Sequence, residues 1–279
     1  MKAKGRICVE KIIFLGGDKR MFYAAETLSE KYRCTFGRDS DIYDYAVLPL
    51  QKSTDGITIP GTDIGYTALG GLLRERGTVF TGNICPELER VCYGYGFVLI
   101  NYLEREELNV ANAVPTAEAA LEIAINRLPV TIFGCKALVT GYGRIAKILG
   151  KYLNAMGAEV TIACRKKSDL KWAEINGCKA VDITDKAIFE NACAVSQVIF
   201  NTVPYPVFTE NIIASIKEET LYIELASTDG INITKATENN IRIVTARGLP
   251  GKTAPVTAGQ LIAHTIENIL NERSDSLET

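Results

Sequence analysis

The segment Gly141-Tyr142-Gly143-Arg144-Ile145-Ala146 has the residue types and spacing that suit a dinucleotide pyrophosphate. Gly141 permits a tight turn. Gly143 lacks the Cβ that would hold a pyrophosphate off the backbone. Ala146 is small enough for a helix to lie close to a sheet. Free N–H groups and the positive dipole end at the start of that helix, at Arg144 and Ile145, attract an anion. The motif alone is weak, but its context strengthens it. Residues 136–140 are an apolar run of strand type, and Ile145, Ile148, Leu149, Tyr152 and Leu153 follow at helical spacing.

Other polar groups fall where further strands should end. Ala163-Cys164-Arg165-Lys166-Lys167-Ser168 closes the next strand with no Asp or Glu to bind both ribose hydroxyls, so Arg165, Lys166 and Ser168 suit a 2′-phosphate. NADP is therefore the expected cofactor, with NAD as the alternative. Asn201, Thr202, Val203 and Pro204 end a later strand, where a polar pair would stand near the ribose or nicotinamide. Glu224 lies inside a strand ahead of Leu225-Ala226-Ser227, and either contacts cofactor or substrate or simply sits at the sheet edge. Ala226 is expected to contact the cofactor. Residues 247–255, RGLPGKTAP, read as a long functional loop whose Arg247, Lys252 and Thr253 supply donors. His264 falls away from the apolar stripe of the last helix and reads as a polar-face residue. No nucleophile elbow supports Ser-His-Asp hydrolysis.

The elements that position these groups alternate. Over residues 11–110, strands are expected at 11–15, 45–50, 78–81 and 97–100, and helices after 20 and at 65–74 and 87–93. Residues 113–116, Ala-Val-Pro-Thr, should break the pattern: Pro115 biases Val114 to extended geometry, and Thr116 caps a new helix over 116–128. Six strands follow, at 136–140, 159–164, 179–181, 197–201, 220–225 and 241–246, with helices between them. The expected fold is α/β, with two Rossmann-like domains of parallel sheets and a cleft between them. Residues 1–114 form the substrate or partner domain and 115–254 the cofactor domain. A carboxyl-terminal helix in 255–279 returns to the first.

Length and composition fit this reading. The chain has 279 residues, 47% of them hydrophobic and 23% charged, and a net charge of −2, which gives no reason to expect nucleic acid or an anionic membrane as partner. Eight cysteines form no CxxC pair and there is one histidine, so no metal site is expected. The apolar stretch in the first 20 residues is short and lysine interrupts it, which argues against a signal peptide. No run approaches a membrane span. A cytoplasmic protein with reduced thiols is expected.

Several segments together carry a resemblance: GGDKR (16–20), LPL with a following DG (48–56), NAVPTAEAALEIAI (112–125), TIFGCKALVTGYGRIA (131–146), CRKKSDL (164–170), NTVP (201–204), IELAS (223–227) and GLPGKTAPVTAGQ (248–260). Across nearly its whole length the chain resembles the family of the NAD(P)-binding subunit of dipicolinate synthase. Glu224 stands where that family more often has Asp, and Ala146 where it more often has glycine. The resemblance implies an NAD(P)-binding protein in the mother cell of a spore-forming bacterium. It implies a partner too, the flavoprotein subunit of dipicolinate synthase, with which the chain would make pyridine-2,6-dicarboxylate. It implies cofactor roles for Gly141, Gly143, Arg144 and Arg165. The second domain is also similar to D-2-hydroxyacid dehydrogenases, but Val256 stands where those enzymes commonly carry a catalytic histidine.

The expected activity is NADP-dependent oxidation of dihydrodipicolinate to dipicolinate. Two substrate carboxylates call for cations, here Arg20, Arg247 and Lys252, and Glu118 or Thr253 would move the ring proton. The alternatives are a non-catalytic NADP-binding subunit that positions the flavoprotein, and a D-2-hydroxyacid dehydrogenase-like oxidoreductase. Self-association is left open.

Overall fold

The structure is a computed structural model that describes residues 9–37 and 40–278. Cys8 and the start of the amino-terminal segment weighed against a signal peptide lie outside the described residues. By contacts the chain divides into two compact units, one drawn from Met1–Asn112 and Ala254–Thr279, the other Ala113–Thr253.

The first unit opens with β1 (Lys11–Phe14), α1 (Lys19–Leu28), β2 (Arg33–Phe36) and β3 (Tyr43–Val47). A 3₁₀ turn at Tyr66–Gly71 leads into β4 (Leu73–Thr81), then α2 (Pro86–Tyr95) and β5 (Val98–Asn101). All five strands pair in parallel in the order β2-β1-β3-β4-β5. The direction of strand growth reverses between β1 and β3. In such sheets ligands bind beyond the carboxyl ends of the strands at that reversal.

Three expectations need correction here. β2 (RCTF) has no apolar run to announce it, because it is an edge strand with no fully buried residue. Residues 65–74 form no α-helix: one 3₁₀ turn ends at Gly71, and β4 begins at once with its first residues beside a register shift against β3. Residues 113–116 do not break the chain. Instead α3 runs unbroken from Glu106 to Arg127 with Pro115 inside it. Proline removes one helical hydrogen bond, but Leu108 is buried in the first unit's core, and Ala117, Ala120 and Ala124 in the second's. Packing on both sides thus overrides the local preference.

The second unit comprises β6 (Lys136–Thr140), α4 (Arg144–Ala155), β7 (Glu159–Cys164), α5 (Lys167–Ile175), β8 (Lys179–Asp182), α6 (Lys186–Val195), β9 (Val198–Asn201), α7 (Glu210–Ser215), β10 (Leu221–Glu224), α8 (Ile233–Glu238), β11 (Arg242–Thr245) and the short α9 (Leu249–Thr253). Its sheet is wholly parallel in the order β11-β10-β9-β6-β7-β8, so the reversal lies between β6 and β9. The four inner strands, β6, β7, β9 and β10, are buried along most of their length and read as apolar runs in the sequence, whereas the edge strands β8 and β11 are only partly buried. Both units are thus Rossmann-like α/β folds.

The last helix, α10 (Pro255–Glu278), belongs to the first unit. It buries Ile262, Ala263, Ile266, Ile269 and Leu270 in one core with Met21, Ala24, Ala25 and Leu28 of α1. A Cβ at Gly259 would stand 2.6 Å from the Arg20 carbonyl, so glycine permits the two helices to touch there. His264 is exposed on the other face. Among the described residues no helix is long and apolar enough to cross a membrane.

Candidate cofactor site

At the carboxyl ends of β6, β7 and β9 a cavity of about 410 Å³ opens in the second unit. Its wall includes Gly141, Cys164, Arg165, Lys166, Asp169 and Val203. Gly141 turns the chain off β6 with φ +86°, and its N–H donates to the Ala163 carbonyl at 2.8 Å. A Cβ there would lie 2.6 Å from Thr202 Oγ1, so glycine is required both by the turn and by the approach of the next strand end. Thr202 Oγ1 in turn donates to the Thr140 carbonyl at 2.6 Å and ties β6 to β9.

Gly143 caps α4 from an extended conformation, and a Cβ there would meet open space. That bare cradle at the start of a 12-residue helix fits a pyrophosphate. Arg144 and Ile145 open the helix. Ala146, wholly buried, packs the helix onto the sheet. Arg165 and Lys166 are exposed at the cavity, whereas Lys167 donates to Asp182 at 2.6 Å. Ser168 is exposed on the first turn of α5 and does not line the cavity. Burial pushes the Cys164 thiol up to about 11, so at neutral pH it stays protonated. The residues present therefore fit a nicotinamide dinucleotide. They include one group that the sequence did not single out, Asp169, a carboxylate beside two cations.

The neighbouring strand ends are built differently. Asn201, with no exposed surface, accepts from Thr140 Oγ1 at 2.5 Å and from the Val203 N–H at 3.1 Å, and donates to Glu224 Oε1 at 2.7 Å. Glu224, 1% exposed, also accepts from the Ala226 N–H at 3.0 Å, the Gly230 N–H at 2.8 Å and the Tyr222 hydroxyl at 2.8 Å. Burial, reinforced by the Glu224 charge, raises Tyr222 far above the ordinary phenol value, so it remains a donor. Arg247 Nε donates to the Ala226 carbonyl at 3.0 Å, and its Nη2 pairs with Asp229 at 2.6 Å.

These bonds correct several expectations. The Asn201 amide is enclosed and fully engaged, so it holds the sheet end together instead of reaching a ligand. The backbone N–H and C=O of Ala226 are likewise both engaged. Arg247 is ion-paired and is no free cation. The expected loop around it is the helix α9: Pro250 sits in its first turn, where a missing N–H costs nothing, and Thr253 Oγ1 donates to the Leu249 carbonyl at 3.0 Å. Lys252 and Glu118 are exposed, on α9 and α3. Arg20, in the first unit, is buried and bound through Nε and Nη2 to Asp18. Glu224 stood out in the sequence as a charge within an apolar strand. Its partners come from the neighbouring strand and from residue 230, and sequence spacing does not announce those contacts.

No family model matches the chain. It is 29% identical over 195 residues to the dipicolinate synthase A chain of Bacillus subtilis (strain 168), a match that spans 70% of this chain and 65% of the relative, less than the motifs implied. Two solved structures share its fold. The dipicolinate synthase A chain of Bacillus halodurans aligns over 94% of this chain and 97% of its own, with a TM-score of 0.84 and 23% identity. Its counterpart from Bacillus subtilis aligns over 96% and 97%, with a TM-score of 0.84 and 22% identity. The fold extends to L-alanine dehydrogenase, over 95% of this chain and 90% of that one, at a TM-score of 0.67 and 11% identity. In sequence over most of its length, and in fold over nearly all of it, the chain is similar to the dipicolinate synthase A chain.

Proposed function

We propose that the chain is an NADP-dependent oxidoreductase that converts dihydrodipicolinate to dipicolinate. The observation that carries this reading is the cavity beside the glycine turn, walled by Arg165 and Lys166. Dehydrogenases among the relatives in fold, one of them an NAD-dependent formate dehydrogenase, and the likeness to the dipicolinate synthase A chain support the reaction class and the substrate. When bound, the nicotinamide supplies hydride acceptance. The chain's own groups then do three things. The α4 amino terminus and Gly143 hold the pyrophosphate. Arg165 and Lys166 hold the 2′-phosphate. Glu118 takes the ring proton, since the Thr253 hydroxyl already donates within α9. Substrate loses one hydride and one proton, and aromatisation of the ring supplies the driving force. The flavoprotein subunit of dipicolinate synthase is the expected partner.

Asp169 in the same cavity favours a second reading, NAD, because a carboxylate there suits free ribose hydroxyls. Fluorescence titration with both nucleotides separates the two. NADP should bind more tightly than NAD, and Arg165→Ala should weaken NADP about tenfold while leaving NAD unchanged. Equal loss for both nucleotides rejects the 2′-phosphate role. Turnover is then read from the reduced-nicotinamide and dipicolinate absorbances together, starting from hydroxytetrahydrodipicolinate and NADP+, with and without the flavoprotein. Matched rises with this chain alone establish the dehydrogenase. Product only with the partner leaves an obligate complex or a cofactor-holding subunit. No product in either case refutes the substrate.

A further inference from the structure

A second cavity, of about 310 Å³, lies within the first unit where β1 and β3 end, at the reversal of strand order. Its walls come from three places. Gly17 and Asp18 follow β1. Gln51, Lys52 and Thr54 follow β3. Thr58 and Thr62 stand on a hairpin-like loop whose Pro60 carbonyl accepts from the Gly17 N–H at 3.0 Å.

The hydrogen bonds show which groups are available. Asp18 accepts from Arg20 Nε at 2.9 Å and Nη2 at 2.6 Å, so these two charges cancel. Gln51 Nε2 gives one hydrogen to Asp18 at 2.7 Å and keeps the other. Thr58 Oγ1 donates to Asp55 at 2.8 Å, and Thr62 Oγ1 to the Ile59 carbonyl at 2.8 Å. Among the described residues, the Lys52 ammonium and the Thr54 hydroxyl have no such partner. One uncompensated cation, one hydroxyl and one amide N–H therefore border this cavity, at the place where doubly wound sheets take their ligands.

We propose that this cavity binds a carboxylate of a small organic acid, held by Lys52 and Thr54 with Gln51 beside them. A single cation next to the Asp18 carboxylate suits one negative charge better than a phosphate dianion. Arg20 acts in this site as the counter-ion that lets Asp18 form part of its wall. The inference rests on the oxidoreductase reading only for its probe, pyridine-2,6-dicarboxylate.

The test is calorimetric titration of the full chain with that acid, with and without saturating NADP+. Lys52→Met should weaken acid binding at least tenfold and Thr54→Val about threefold, with unfolding midpoints and NADP+ affinity unchanged. Wild-type acid affinity in the Lys52→Met/Thr54→Val double variant overturns the proposal. So does the absence of binding to wild type at millimolar acid in both titrations, or equally tight binding of inorganic phosphate. Acid binding that is lost in Lys52→Met, in a chain that binds neither nucleotide, upholds the site and defeats the oxidoreductase reading instead.

Discussion

Along the carboxyl edge of the second sheet, β6 and β7 end differently from β9 and β10. After β6 and β7 the chain leaves exposed donors, bare backbone at Gly143 and cations at Arg165 and Lys166, around an open cavity. After β9 and β10 the polar groups close on one another. Asn201, Tyr222 and Glu224 are buried and satisfied by each other and by the backbone of residues 226 and 230. A polar side chain at a strand end is therefore not by that fact a ligand contact. The open half can recognise something because, among the described residues, the Arg165 and Lys166 cations have no such partners. The closed half holds the adjoining loop in one shape because its groups have them.

The sharpest way to break this comparison is to remove the centre of the closed half. Glu224→Ala leaves two backbone N–H groups, the Asn201 amide and the Tyr222 hydroxyl without their acceptor, and should cost on the order of 3–5 kcal/mol of stability. Chemical denaturation reads it, and a loss under 1 kcal/mol (roughly one typical hydrogen bond) would mean that the clamp does not hold the sheet end. Gly141→Ala attacks the boundary between the halves. Its new methyl meets Thr202 in a left-handed conformation, so stability should fall by about 1–3 kcal/mol and nucleotide binding should be lost with it. Normal nucleotide affinity in that variant would detach the turn from the site.

At the rim of the closed half, Arg247 and Asp229 are both more than two-fifths exposed. Asp229→Asn should therefore cost no more than about 1 kcal/mol. A larger loss would place this pair with the buried clamp. The smallest effect belongs to Asp182 at the end of β8. Hydrogen bonds from Lys167 and then Thr184 hold its carboxyl well below the usual carboxylate range. Because the folded value is lowered, its stabilising contribution is present above the ordinary carboxylate pKa and fades as pH falls below it. Carboxyl-carbon NMR should show Asp182 still ionised when exposed carboxylates have protonated, and Lys167→Met should raise its titration only part of the way, because the two bonds from Thr184 remain.

The sequence made the second sheet legible because its four inner strands are largely apolar and separated by clear helical spacing. It made the glycine turn legible because backbone conformation restricts which residues fit at Gly141. What it concealed was set by tertiary contact. The edge strand β2 has no buried face to leave a pattern. Pro115 gave a correct local preference that packing on both sides of α3 overrode. Arg20, Asn201 and Arg247 were recognisable as polar residues at strand or helix ends. Whether each was available for a ligand depended on Asp18, Glu224 and Asp229, and spacing does not identify such pairings.

The pairing of α10 with α1 carries a consequence for how the chain comes into being. The second unit is one continuous run of residues, whereas the first draws its core from both sides of that run. On a ribosome, the second unit can therefore close while the first still exposes Met21, Ala24 and Leu28, waiting for the helix that follows the second unit. The usual vectorial order, with the amino-terminal domain completed first, is reversed. During that interval the apolar face of α1 is the surface most in need of protection from aggregation.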